Sequence, residues 1–219
     1  MITYQDVKNN AEINEYIRQA DASLVALGYT EHSFAHVGKV ADTAGEILSA
    51  LSYSEHEIEL AKIAAHLHDI GNLVNRSEHS QSGAIMAFRI LDRMGMEPAD
   101  LAKVITAIGN HDEGTGVPVN AIAAALILAD KSDVRRSRVR NRDIATWDIH
   151  DRVNYSVAES KLAIDRDTKE IRLDLLIETE YSSVMDYFEI FLERMILCRK
   201  AAERLGLTFR LWINHQQIL

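Results

Sequence analysis

Seven side chains of the types that bind divalent metal ions recur along the chain, most of them about one helix apart. They are His36, His68, Asp69, His79, His111, Asp112 and Asp130. Imidazole and carboxylate groups are common ligands of iron, zinc and manganese, and a bound divalent ion can activate water for hydrolysis. Ligands that come from several helices can converge only inside a helical bundle. The chemistry therefore requires helices around these residues.

The segments between these residues have the apolar spacing of helices. Helices are predicted over residues 4–27, 33–51, 54–69, 78–94, 98–111 and 119–132. A capping-box pattern at residues 54–57 begins the third helix, and Gly71 is predicted to be the left-handed residue that terminates it. The last segment is apolar on all sides until Asp130, so we expect this helix to lie in the core.

The composition changes after Lys131, where a basic run extends from Arg135 to Arg142. The remaining pattern predicts a short helix at 147–155, a hairpin from 157–164 and 170–177, a helix at 181–205 and a strand at 207–213. We therefore predict a mainly α protein with a small antiparallel β-sheet near the C-terminus. Its helical core, residues 1–135, carries the metal site, and residues 136–219 form an extension packed on that core.

Composition limits the functions open to this chain. With 219 residues, 47% of them apolar, it can bury one sizeable core. The net charge of −9 argues against general nucleic-acid binding. The single cysteine, Cys198, suits a reducing compartment, and we predict that it is a buried core residue. The N-terminus has no signal pattern and no apolar run is long enough for a bilayer, so we predict a cytoplasmic protein with no membrane partner.

Four of the candidate ligands stand in an order that resembles a known family. They are His36 in His-Val-Gly-Lys-Val-Ala, His68 and Asp69 in Leu-His-Asp-Ile-Gly, and Asp130 in Leu-Ala-Asp-Lys. This order resembles the HD-domain metal-dependent phosphohydrolases over roughly residues 30–135. The resemblance implies an HD-domain helical bundle in which these four residues bind a divalent metal. Asn72 stands where many relatives have lysine.

A second resemblance concerns the segments around His79 and His111. The sequence His-Ser-Gln-Ser-Gly-Ala at His79 and the sequence Asn-His-Asp-Glu at residues 110–113 look like the extra ligand segments of two-metal HD proteins, including the HD-GYP branch. The resemblance implies two ions, with Asp69 as a shared ligand and catalytic group. Asp112 stands where that branch has a second histidine, and the loop at 114–118 lacks its tyrosine. The alternative for both histidines is exposure to solvent at helix ends.

Other residues are assigned roles in catalysis or phosphate binding. Asp112 or Glu113 could carry a proton if it is not bound to metal. A phosphate group needs cationic partners, and the candidates are Lys131, Arg76, Arg135 and Arg136. The alternatives for the basic run are a solvated loop and a contact between subunits, and the alternative for Asp130 is a cap at the end of its helix. His32 is expected beside the ligands or at the surface, and His66 is expected in the core or at the surface.

These features favour a metal-dependent phosphohydrolase or phosphodiesterase that acts on a nucleotide or another small phosphate ester. The cofactor is predicted to be a divalent metal, as two ions, with iron, manganese, zinc, magnesium and nickel not distinguished. One alternative is a regulatory module that keeps the metal site and binds a phosphorylated ligand without hydrolysing it. Another is a structural protein whose C-terminal hairpin and helix form a homo-oligomer.

Overall fold

The computed structural model describes residues 2–219, and most of them lie in helices. The helices are α1 (Tyr4–Lys8), α2 (Ala11–Ala26), α3 (Phe34–Ala50), α4 (Glu55–Leu67), α5 (His79–Arg93), α6 (Pro98–Gly109), α7 (Ala121–Ser132), α8 (Ile149–Ser156) and α9 (Val184–Arg204). The strands are β1 (Val157–Asp165), β2 (Glu170–Ile177), β3 (Thr208–Ile213) and β4 (Gln216–Gln217). The prediction of a mainly α fold with a small sheet near the C-terminus is confirmed. Within residues 2–219, no helix has both the length and the apolar character needed to cross a bilayer.

Helix α7 lies at the centre of the fold. Every side chain from Ile122 to Ala129 is buried, and α7 packs against α3, α4, α6 and α9. A helix that is apolar on all sides is stable in water only when other elements cover every face. The sequence of α7 therefore fixes it as the core helix, and Asp130 in its last turn is carried into the interior.

Capping side chains mark the start of several helices, and one of them divides a predicted helix. Ser54 caps α4 in a capping box with Glu57, as predicted. The single helix predicted over residues 4–27 is instead two helices, because the Asn10 side chain accepts a hydrogen bond from the Ile13 amide and begins a new helix. Asparagine competes with the helical backbone in this way.

Gly71 has a different role from the one predicted. The chain after α4 forms a short 3-10 helix, Ile70–Leu73, and Gly71 is not among the residues with positive φ. A Cβ atom at this position would lie 2.0 Å from the His79 carbonyl oxygen and 2.5 Å from the Gly83 amide nitrogen. Gly71 is therefore needed because α5 approaches the turn closely, and the prediction of a left-handed terminator is wrong.

The sheet is mixed, where a wholly antiparallel sheet was predicted. Strands β1 and β2 form the predicted antiparallel hairpin, but β2 and β3 pair in parallel, from Glu170 with Thr208 to Leu175 with Ile213. Parallel neighbours need a long crossover connection, and α9 supplies it. Helix α9 packs against both α7 and β3, so it joins the sheet to the helical core.

Candidate metal centre

The six predicted metal ligands come from five helices or their ends. His36 lies in the first turn of α3, His68 and Asp69 end α4, His79 begins α5, His111 follows α6, and Asp130 lies in the last turn of α7. All four histidines are buried, and Asp69 is only 6% exposed. The fold brings these residues together, whereas solvent-exposed helix ends were the alternative for His79 and His111.

Each histidine of the cluster is oriented by a hydrogen bond at its Nδ1 atom. Three of these bonds reach backbone carbonyl oxygens: His68 to Ala65 (2.7 Å), His111 to Ile108 (2.6 Å) and His79 to Arg76 (3.1 Å). A carbonyl oxygen only accepts, so Nδ1 must carry the proton. In the neutral form of each ring it is therefore Nε2 that offers a lone pair to a metal, which is the usual arrangement of a metal-binding histidine.

His36 is oriented by a buried carboxylate. Its Nδ1 atom lies 2.8 Å from Oδ2 of Asp133, a residue that is 1% exposed. Lys39 and Arg135 contact Oδ1 of Asp133 at 2.9 and 2.7 Å. Burial raises the pKa of Asp133, but the hydrogen bonds from His36 and Arg135 outweigh burial and hold it well below the usual range. An ionised Asp133 thus makes His36 a better electron donor at Nε2.

The free Nε2 atoms of His36 and His68 face two carboxylates. Nε2 of His36 lies 3.3 Å from Oδ1 of Asp130, and Nε2 of His68 lies 3.3 Å from Oδ2 of Asp69. Both Nε2 atoms are buried without a hydrogen-bond partner. Two ligands that each lie about 2.1 Å from one ion are separated by about 3.0–3.4 Å at tetrahedral or octahedral angles. The donor types, their spacing and the unpartnered atoms therefore fit a divalent cation.

Asp69 joins this group of donors to a second one. Its Oδ2 atom faces His36 and His68, while its Oδ1 atom lies 3.4 Å from Nε2 of His79. Nε2 of His79 in turn lies 3.2 Å from Nε2 of His111. Two groups whose donor atoms lie within 4.8 Å of one another are His36–His68–Asp130 and His68–Asp69–His111. Asp69 is thus placed between the two halves of the cluster.

Electrostatics in the cluster favour a positive charge between the carboxylates. Burial alone would raise the pKa of Asp130, but Lys131, His36 and His68 hold it well below its ordinary value. Burial opposes charge on His68, yet Asp69 and Asp130 raise its pKa to about 10. Burial lowers the pKa of His79 to about 4. The first half of the cluster therefore attracts a cation, and the His79 ring is neutral.

The two residues predicted as proton carriers differ in their surroundings. Glu113 accepts hydrogen bonds from Lys131 (2.9 Å) and Arg194, and these cations outweigh burial and hold its pKa well below the usual range. Burial, together with the neighbouring Glu113, raises the pKa of Asp112 to about 6. A group that titrates near neutrality is the better proton carrier. Of the two candidates, Asp112 therefore fits this role better, while Glu113 is paired with two cations.

Three of the four predicted phosphate-binding cations are engaged by the protein itself. Buried Lys131 bridges Asp130 (2.8 Å) and Glu113. The other two form the pairs Arg135 with Asp133 and Arg136 with Glu178. Only the fourth, Arg76, remains close to the donors and partly exposed, with Nη1 at 3.4 Å from His79 Nε2 and 3.9 Å from Asp69 Oδ1.

A cavity of about 410 Å³ opens beside the cluster. Arg76, Arg138 and Arg194 line it, together with His32, whose ring centroid is 5.5 Å from that of His36. Burial holds the pKa of His32 well below its ordinary value. His32 is therefore a neutral residue beside the ligands, while His66 is buried in the core with both ring nitrogens unpartnered.

Sequence reasoning missed two residues around the centre. Asp133 follows Asp130 by three residues, so its place one helical turn later was the available signal. Arg194 lies on α9, and the sequence of this amphipathic helix does not reveal which of its charged residues contacts a distant site. Cys198 on the same helix is buried, as predicted.

This chain matches a family model and is similar to two other proteins. The family model described as HD domain matches residues 33–153, which contain all six donors. The uncharacterized protein MJ1020 of Methanocaldococcus jannaschii is 25% identical over 201 residues, covering 81% of this chain and 76% of that protein. A crystal structure of a predicted HD superfamily hydrolase from an uncultured Thermotogales bacterium is 28% identical, with a TM-score of 0.46, over 57% of this chain and 67% of that chain.

Proposed function

Because this chain belongs to the HD domain family, whose model matches more than half of it, we propose that it is a metal-dependent phosphohydrolase or phosphodiesterase. Its substrate is a nucleotide or another small phosphate ester. One observation carries the proposal: four buried histidines, each fixed at Nδ1, direct their Nε2 atoms toward the buried carboxylate of Asp69 and the largely covered carboxylate of Asp130.

Membership of the family implies a divalent-metal site, and the proposal assigns the ligands of two ions. His36, His68, Asp69 and Asp130 would hold one ion, and Asp69, His79 and His111 would hold the other. When bound, divalent ions lower the pKa of water and stabilise the negative charge that develops during phosphoryl displacement. Asp69 would belong to both sets of ligands, because its two oxygens face different halves of the cluster.

The protein's own groups bind the substrate and supply a proton. Arg76 donates hydrogen bonds to phosphoryl oxygens from the edge of the cluster, and its guanidinium is held in place by Oδ1 of Asn72 at 3.3 Å. Asn72 also donates to Asp69 Oδ1 at 2.9 Å, so it positions both an arginine and a ligand. Asp112, whose pKa is raised to about 6, gives a proton from its carboxyl group to the departing oxygen.

The test couples elemental analysis of the purified protein to a hydrolysis screen of phosphate monoesters, diesters and nucleotides with several divalent metals. We expect bound divalent metal and activity that is lost after chelation and restored by the metal. The variant His68→Gln is expected to lose both metal and activity. The matched control is His215→Asn in the exposed turn before β4, where asparagine tolerates the positive φ of 66°.

Two outcomes would contradict the proposal. A folded protein that binds no divalent metal would exclude the metal centre. A metal-loaded protein that hydrolyses none of these esters, but still binds them, would instead indicate a regulatory module.

A further inference from the structure

The arginines that line the cavity contact the metal-binding cluster or residues next to it. Arg76 lies 3.9 Å from Asp69, and Arg138 donates to the Asp133 carbonyl oxygen at 2.7 Å. Arg194 donates to Glu113, which also accepts from the Lys131 that pairs with Asp130. The positive charge of the cavity is therefore gathered next to the metal ligands.

Two of these arginines lie against aromatic rings and keep part of their surface exposed. The Arg76 guanidinium lies 5.7 Å from the centre of the Tyr29 ring, and the Arg194 guanidinium lies 4.2 Å from the centre of the Phe191 ring. Both arginine side chains keep about a quarter of their surface exposed, 27% for Arg76 and 22% for Arg194. Arginines stacked on aromatic rings present a preformed fork to a phosphoryl group.

Another part of the polar lining comes from α8 and its N-cap residue, and it includes two aspartates. Asp148, His150, Asp151 and Asn154 line the cavity from this helix. One carboxylate oxygen of Asp148 accepts from the Asp151 amide at 2.8 Å, and one of Asp151 accepts from Asn141 at 3.2 Å. Among residues 2–219, neither aspartate has an arginine or lysine nitrogen within 4.0 Å, so their negative charge is not neutralised by the arginines of the cavity.

We infer that this cavity selects monophosphate esters whose remaining part is uncharged and carries hydroxyl groups, with Arg194 as a second phosphate-binding residue beside Arg76. This inference rests on the proposed function and narrows its substrate class. One phosphoryl group fits between the arginines at the cluster. The α8 carboxylates accept hydrogen bonds from hydroxyl groups and repel further phosphates. A volume of about 410 Å³ lies toward the small end of ligand sites, about 300–1,000 Å³.

The first test compares adenosine monophosphate with adenosine triphosphate as substrates, with Mn²⁺ in excess over nucleotide. Wild type is expected to prefer the monophosphate in kcat/KM by about tenfold or more. In the double variant Asp148→Asn/Asp151→Asn this preference should shrink by about fivefold or more, through faster triphosphate hydrolysis. Asparagine caps helices as well as aspartate does, so α8 is preserved. The control is Asp167→Asn, in the exposed turn between β1 and β2.

The second test concerns Arg194. We expect Arg194→Gln to raise the KM for the monophosphate by about tenfold or more, and Arg194→Lys to recover part of this loss. The control Arg199→Gln changes an exposed residue of the same helix and is expected to leave the KM unchanged. Circular dichroism and unfolding of the variants verify that they fold.

Binding measurements keep this inference separate from the proposed function. If the metal-loaded protein hydrolyses no ester, the proposed function fails, but calorimetry with the same two nucleotides still measures selectivity. Tighter binding of the monophosphate that depends on Asp148 and Asp151 would support the inference. Equal or tighter binding of the triphosphate by wild type, or an unchanged preference in the double variant, would overturn it.

Discussion

Replacing Asp133 by asparagine tests how the protein prepares His36 for a metal. Oδ2 of Asp133 accepts from His36 at 2.8 Å and from Arg135 at 3.1 Å, while Oδ1 accepts from Lys39 at 2.9 Å and from Arg135 at 2.7 Å. Both oxygens of the carboxylate therefore face donors. In asparagine one of these oxygens is replaced by an NH₂ group, which faces a donor instead of accepting from it. The negative charge next to His36 is lost as well.

Two magnitudes follow from these contacts. Loss of a charged partner behind a metal-binding histidine weakens metal binding by about 10–100-fold. The cost in stability is smaller than for a fully buried pair, because the Lys39 side chain is 43% exposed and Arg135 also contacts Glu31 at 3.5 Å. We expect the free energy of unfolding of the metal-free variant to fall by about 1–3 kcal/mol.

The assay is competition between the protein and a chelator for Mn²⁺ and Zn²⁺, together with urea unfolding of the metal-free protein. Asp42→Asn is the matched control, since Asp42 lies on the exposed side of α3, the helix that carries His36. A variant Asp133→Asn that is less stable but binds metal with wild-type affinity would refute the reasoning. Asp133 would then serve only the stability of the fold.

Three further predictions follow from other parts of the structure. Gly71→Ala should lower the free energy of unfolding by about 3 kcal/mol, because the added Cβ would overlap the backbone of α5. In Gly38→Ala no atom lies within 4 Å of the added Cβ, so this control should raise the free energy of unfolding by about 0.5–1 kcal/mol. Equal effects of the two substitutions in urea unfolding would contradict this prediction. Burial lowers the pKa of His66 to about 4, so the unfolded chain binds the proton before the folded chain does as the pH falls below about 6.5. Between pH 7.5 and 4.5 the free energy of unfolding of the metal-free wild type should therefore fall by about 2 kcal/mol more than that of His66→Leu. A difference between the two proteins that does not change with pH would exclude this burial effect. Burial raises the pKa of Cys198 to about 12, so a thiol reagent at pH 8 should label this residue only after denaturation. Rapid labelling of the folded protein would contradict this prediction, because it would show that Cys198 becomes accessible without unfolding.

The sequence predicted much of the helical core because its signals are local. Helix starts such as the capping box at Ser54 and the apolar pattern of α7 depend on neighbouring residues alone. The order of the metal-binding residues could also be read directly from the chain. The contact between His36 and Asp133 joins residues 97 positions apart, and no local pattern reveals such a pair.

The errors have a common physical origin in tertiary contacts. Gly71 was predicted to adopt the left-handed backbone conformation, whereas glycine is needed there because α5 approaches too closely for a Cβ atom. The parallel pairing of β2 and β3 was missed, although a long helix between two strands is the usual connection for parallel neighbours. The ion pairs of Glu113 with Lys131 and Arg194 were also not visible in the sequence, because these two cations approach from α7 and α9.

The parallel pairing across α9 has a consequence for how the protein is made. Domains generally fold as they leave the ribosome, beginning with the N-terminal part, and pairings between distant segments form slowly. The donors all precede α8 in the chain, but α9, which covers one face of the core helix α7, is made after them. Arg194 and Phe191 of the cavity also arrive with α9. The newly synthesised protein therefore depends on its last helix both to close the core around α7 and to complete the cavity.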